Sequence, residues 1–161
     1  MTRTTSRTLF TLGYQQRSVK EFVSFLIDAD VSILVDVRET PWSHKPGFSK
    51  RRLAKTLSAK GIRYLHARFA GNPKTIRANA TSHAECLDLY DRYLDANPQV
   101  LDALNEVVGS LLVAGERVCL MCYERHPDDC HRGVLVERWQ SKSPRAVAHL
   151  GADERFRLVR A

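Results

Sequence analysis

Strand and helix patterns alternate along nearly the whole chain, which predicts an α/β fold. The expectation is a single domain with a largely parallel sheet of four to five strands and helices on both faces, a Rossmann-like three-layer arrangement. Three observations predict it. Val31 to Val37 is nearly all aliphatic, as a central strand buried on both faces must be. Phe22, Phe25, Leu26 and Ala29 recur just before it at helical spacing, the stripe of a helix that covers a sheet. Arg117 to Met121 repeats the theme, a short apolar run followed by a polar loop and a second helical stripe.

In chain order, residues 1–7 form a polar tail, and Thr8 to Leu12 reads as a first strand ending at Gly13-Tyr14. Ser18-Val19-Lys20-Glu21 has the form of a capping box that opens the first helix. After the Val31–Val37 strand, Pro41, Pro46 and Gly47 mark a loop. A basic helix then spans Ser49 to Lys60, with Leu53 and Leu57 inward and Gly61 as its stop. Ile62 to His66 reads as a third strand. Residues 69–83, from Gly71-Asn72-Pro73 onward, read as a long irregular loop of the kind that serves as a lid or binding loop. Cys86, Tyr90, Tyr93 and Leu94 mark one helix, Asn97-Pro98 breaks it, and Leu101, Leu104, Val108 and Leu111 mark another. Val118 to Met121 is a fourth strand, Gly133 to Gln140 a helix with Leu135 and Trp139 on one face, and Ala146 to Leu150 a short fifth strand. Asp153 to Ala161 either packs or frays.

Composition narrows the function classes. The chain has 161 residues, 43% of them hydrophobic, enough to bury a core without metal or disulfide staples. Met1 to Leu12 lacks the apolar centre of a signal peptide, and the run Val107 to Ala114 is too short to cross a bilayer. A cytoplasmic protein with no membrane partner is expected, and nothing in the sequence sets its oligomeric state. Cysteines at 86, 119, 122 and 130 make a poor disulfide framework for a chain of this size. The net charge is +7, and no Asp or Glu occurs between Thr40 and Ala84, where Lys45, Lys50, Arg51, Arg52, Lys55, Lys60, Arg63, Arg68, Lys74 and Arg77 all fall. The segment 44–77 is therefore either a solvated basic face or a docking surface for the phosphates of nucleic acid or a smaller anion.

Three strand ends carry polar groups: Gly13-Tyr14, Asp36 with Arg38, and Cys122-Tyr123-Glu124. A parallel sheet brings all three to its carboxyl edge, where ligands bind. Cys122 is the candidate nucleophile or thiolate stabiliser, because a thiol near a helix amino terminus, His131 and arginines loses its proton easily. Glu124 or Asp36 would move protons, and Arg38 and Arg132 would hold an anion. Gly13, Tyr14, Cys130, Lys50, Arg51 and Arg52 complete the candidate substrate contacts, while Tyr64 and His66 could stack on a ring. Each has a structural alternative: ion pairs for the carboxylates, a helix cap for Asp128 or Asp129, core packing for the cysteines. Cys119 and Cys122 spell C-x-x-C but face opposite sides of a strand. No cofactor is required; Cys122, Cys130 and His131, with His126 as a fourth ligand, form an alternative zinc set, and a Cys122–Cys130 redox disulfide is a further option.

Thr11-Leu12-Gly13-Tyr14, Leu34-Val35-Asp36-Val37-Arg38 with Pro41 and Ser43, Phe48, Gly61-Ile62-Tyr64, Cys122-Tyr123-Glu124, Cys130-His131-Arg132 and His149-Leu150 together resemble the domain-of-unknown-function-488 family, over about Thr8 to Leu150. The paired C-x-E and C-H-R signature is the most specific part. The resemblance implies a small α/β cytosolic bacterial or archaeal domain and no particular reaction. Tyr14 stands where the family often has histidine, so no base is implied there. The arginine six residues after the nucleophile of a cysteine phosphatase is absent, since that position is Asp128, and rhodanese-like sulfur transfer fails similarly. The function expected is an enzyme acting on a nucleic acid, nucleotide or phosphorylated compound. The alternatives are a non-catalytic nucleic-acid-binding module using 44–77, and a zinc- or redox-stabilised interaction domain.

Overall fold

The computed structural model describes residues 8–152 and the backbone of 157–159; the tail at 1–7 lies outside these. One six-stranded sheet has the order β3-β2-β4-β1-β5-β6, with β1 Leu9–Gly13, β2 Ile33–Asp36, β3 Arg63–His66, β4 Val118–Cys122, β5 Val147–His149 and β6 Arg157–Val159. All pairings are parallel except β5 with β6. The sequence pattern anticipates the first five strands. β6 is short and is recognisable only through its pairing.

Alternation along each strand divides the core into two layers. Phe10, Leu12, Leu34, Cys119 and Met121 face α1 (Val19–Asp28) and α2 (Lys50–Ser58), where Phe22, Leu26, Leu53 and Leu57 are fully buried. Each of those aliphatic side chains contributes about 2 kcal/mol of burial. Leu9, Val35, Leu120 and Cys122 face the other layer, formed by α4 (His83–Ala96), α5 (Gln99–Leu104) and α7 (His131–Lys142). Cys119 and Cys122 therefore lie on opposite sides of the sheet, as period-two geometry requires.

Local chemistry sets the helix ends. Ser18 caps α1, its Oγ accepting from the Glu21 N–H at 3.1 Å, and Ser82 caps α4 by accepting from the Glu85 N–H at 3.0 Å. Two expectations need correction. The segment 69–83 is not irregular: it holds the end of a 3₁₀ turn (Arg68–Ala70) and a short helix, α3 (Lys74–Asn79), for which Pro73 supplies the start. The last helix starts at His131 with Cys130 at the cap position, so neither Asp128 nor Asp129 caps it; both lie in a 3₁₀ turn, Pro127–Asp129. Gln99 to Val113 is continuous through a π turn at Asn105–Gly109, followed by α6 (Ser110–Val113).

Insertion of β4 between β1 and β2 places three strand ends side by side. Gly13 lies opposite Cys122, and Asp36 opposite Met121. The chain leaves β1 and β2 toward one layer and β4 toward the other, which opens a crevice at the carboxyl edge. Among the described residues, no helix is long and apolar enough to cross a membrane.

Candidate functional site

A cleft of about 590 Å³ opens at that edge. Its inner wall comes from the strand ends and the start of α7: Arg38, Cys122, Tyr123, Glu124 and His131. Its outer wall comes from the segment read in sequence as a loop, with Asn72, Arg77, Thr81, Ser82 and His83, and from Cys86 on α4.

On the inner wall, Cys122 Sγ lies 3.3 Å from His131 Nδ1 and 4.0 Å from Glu124 Oε2. His131 Nε2 is 2.9 Å from the Val37 carbonyl, which fixes the ring. Cys130 completes the group, with its sulfur against both Cys122 and His131. Burial pushes the Cys122 thiol well up. Burial acts on Cys130 in the same direction, but the Cys122 thiol, the Arg132 charge and His131 outweigh it and draw Cys130 well below the ordinary thiol range. His131 is raised despite its burial, because it faces the Cys130 sulfur. Glu124 is pushed up to about 8, first by burial and then by the Cys130 charge. Of the two sulfurs, Cys122 lines the cleft and Cys130 does not.

Several expected ligand contacts are committed elsewhere. Arg132 is fully buried; its Nε donates to Thr11 Oγ1 at 3.2 Å, Nη1 to the Glu124 carbonyl at 2.5 Å and Nη2 to the Arg125 carbonyl at 3.3 Å. It staples the 124–125 loop to β1 and is not placed to hold a ligand. Gly13 serves the same staple: a Cβ there would lie 1.8 Å from the Glu124 carbonyl oxygen. Asp36 is also fully buried, accepting from Arg38 Nε at 2.9 Å and Nη2 at 2.7 Å, and from Tyr64 Oη at 2.5 Å. A carboxylate so occupied orients Arg38 and is not placed to move protons. The same carboxylate, after burial, pushes the Tyr64 phenol up. Tyr14 is buried, stacked on Phe48 with centroids 4.5 Å apart, and accepts from Arg38 Nη1 at 3.3 Å, so it is not a platform for a base. His66 is turned inward to the Arg38 carbonyl at 2.8 Å.

Lys50, Arg51 and Arg52 are exposed on the first turn of α2 and line a separate depression with Lys45 and Pro46. Trp42, 58% exposed, borders both this depression and the cleft. The acid-free segment is not one face, because Arg63 pairs with Glu116 at 2.6 Å and Arg77 with Glu39 at 3.4 Å.

The outer wall holds what sequence reasoning missed. In sequence Arg77 is one member of the basic run; folded, it is half exposed on the cleft, its Nε donating to the Asn72 carbonyl at 3.2 Å. Asn72 is buried, with Nδ2 3.3 Å from Cys86 Sγ, and its Oδ1 is the buried side-chain acceptor without a partner among the described residues. Gly71 permits the close approach, since a Cβ there would meet the Glu39 backbone at 2.5 Å. The signal the sequence offers is Asn72-Pro73 within the loop read at 69–83.

The family model described as "Domain of unknown function DUF488" matches residues 18–139, and the chain belongs to that family. No curated protein and no solved structure matches it.

Proposed function

We propose that this member of the DUF488 family is an enzyme acting on an anionic substrate, a nucleotide or other phosphorylated compound, bound in the cleft at the carboxyl edge of the sheet. One observation carries the proposal: a thiol, an imidazole and a carboxyl group, those of Cys122, His131 and Glu124, share the wall of a cleft whose opposite wall offers an arginine, Arg77. Pockets that combine convergent polar chemistry with a preformed concavity are the usual sites of catalysis. The ion pair of Arg77 with Glu39 is long and half exposed, and its other hydrogen bond goes to the Asn72 carbonyl through Nε, so an incoming anion can compete with Glu39 for the guanidinium. Arg38, pinned by Asp36, gives the inner wall a fixed guanidinium whose charge that carboxylate balances, and Glu124 is the group placed to move a proton. Free thiols at the site suit a reducing, cytoplasmic setting.

The experiment is incubation with a panel of nucleotides, sugar phosphates and short oligonucleotides, with products followed by mass spectrometry. The expected result is turnover of one class that disappears in Glu124→Gln while the variant keeps its wild-type melting temperature. Equal turnover by Glu124→Gln would remove the basis of the assignment.

A second reading is supported by Trp42, which joins the cleft to the basic depression of Lys50, Arg51 and Arg52. A nucleic-acid strand lying on α2 would reach the cleft over an exposed aromatic ring suited to base stacking. Binding that falls steeply with salt and weakens in Lys50→Ala/Arg51→Ala/Arg52→Ala would favour this substrate class over a mononucleotide.

A further inference from the structure

We infer that Cys122, Cys130 and His131 form a zinc site open on one side to the cleft, with Cys122 a metal ligand rather than an attacking sulfur. This goes beyond the assignment of an anionic substrate, and the metal site is tested independently of any turnover. Sγ of Cys122, Sγ of Cys130 and a ring nitrogen of His131 all lie within 4.8 Å of one another. A tetrahedral zinc about 2.3 Å from sulfur and about 2.0 Å from nitrogen spaces its ligands by roughly 3.5 to 3.8 Å. Cys122 Sγ and His131 Nδ1, at 3.3 Å, are already close to that spacing.

The ring of His131 is oriented as a ligating histidine requires. A carbonyl can only accept, so Nε2, 2.9 Å from the Val37 oxygen, is the donor, and in the neutral ring this leaves the Nδ1 lone pair directed at the sulfurs. The donors are also held by rigid elements: Cys122 is the last residue of β4, and Cys130 and His131 open α7. Two thiolates and an imidazole suit zinc and are poor partners for magnesium or calcium, which take oxygen ligands. His126, the expected fourth ligand, does not join this group.

Three protein ligands leave one position free, the pattern of catalytic zinc, since structural zinc closes with four. That position faces the cleft, because Cys122 and His131 line it and Cys130 lies behind them. Glu124 Oε2, 4.0 Å from Cys122 Sγ, stands beside the opening without belonging to the ligand group. The chemistry this arrangement fits is hydrolysis without redox. The oxygen of a zinc-bound water bonds to the electrophilic centre of the substrate, the bond to the leaving group breaks, and the water's proton passes through Glu124 to that group.

The test is metal content and cobalt spectroscopy on the full chain, purified without chelator or histidine tag. The expected result is one zinc per chain by elemental mass spectrometry. After stripping, one equivalent of Co(II) should give the thiolate-to-cobalt band in the near ultraviolet and the strong visible bands of tetrahedral cobalt. Cys130→Ser and His131→Ala should each lose those bands, whereas Cys119→Ala, whose sulfur faces the other layer, should retain them. A folded wild-type chain that takes up no Co(II) or Zn(II) at micromolar concentration, with Cys122 and Cys130 free to a thiol reagent, would overturn the site. Stoichiometric metal retained in the Cys130→Ser/His131→Ala double variant would overturn it equally. Loss of nucleotide binding in Arg77→Ala reports on the substrate assignment alone, so the two can fail separately.

Discussion

The two walls of the cleft are built on opposite principles. On the inner wall and directly behind it the polar groups are buried and spoken for: Asp36 by Arg38 and Tyr64, Arg132 by Thr11 and two carbonyls, His131 by Val37 and Cys122. On the outer wall Arg77 is half exposed with a long ion pair, and Asn72 Oδ1 is buried without a partner among the described residues. The inner wall has the fixed geometry that chemistry demands, and the outer wall keeps donors and acceptors in reserve, as recognition demands. Rigidity and availability are thus divided between the strand ends and the 71–87 segment.

Substitutions that break the inner wall should cost most. Asp36→Ala strands the Arg38 guanidinium in a nearly buried position and should destabilise the chain by about 3–5 kcal/mol in denaturant melts. A change under 1 kcal/mol would mean that Arg38 swings out and the wall is not fixed. Gly13→Ala comes next, at about 2–3 kcal/mol, because the added methyl group meets backbone at Glu124 and must displace the loop that carries the site. The outer wall should respond in the opposite sense. Arg77→Ala should move stability by no more than about 0.5 kcal/mol, yet weaken binding of the anionic ligand about tenfold by calorimetry. The smallest effect belongs outside both walls: Lys50→Ala/Arg51→Ala/Arg52→Ala should leave stability and mononucleotide affinity within error, and any loss confined to oligonucleotides would extend the recognition surface to α2.

This division also explains what was legible in the sequence. Val31 to Val37 and Val118 to Met121 announce buried strands by composition, and the residues that end them, Asp36 and Cys122, come together because parallel strands share an edge. Their roles were not legible, because period and composition do not reveal partners: Arg132 looks like an anion ligand in sequence and is a loop staple in the fold. Asp36 likewise looks like a proton carrier until Tyr64, from the neighbouring strand, occupies it. The outer wall was opaque for a different reason. α3 is six residues long, too short for a helical stripe, and Asn72 and Arg77 gain meaning only when Gly71 lets the chain pass against Glu39.

The central claim is that an anionic substrate binds between these two walls. The measurement that tests it most directly is a two-dimensional amide NMR titration of the chain with a nucleoside monophosphate and with inorganic phosphate. The account predicts shifts that saturate and fall on Asn72, Arg77, His83 and Cys122 to Glu124. Shifts confined to Lys50 to Arg52, or none at millimolar ligand, would contradict it.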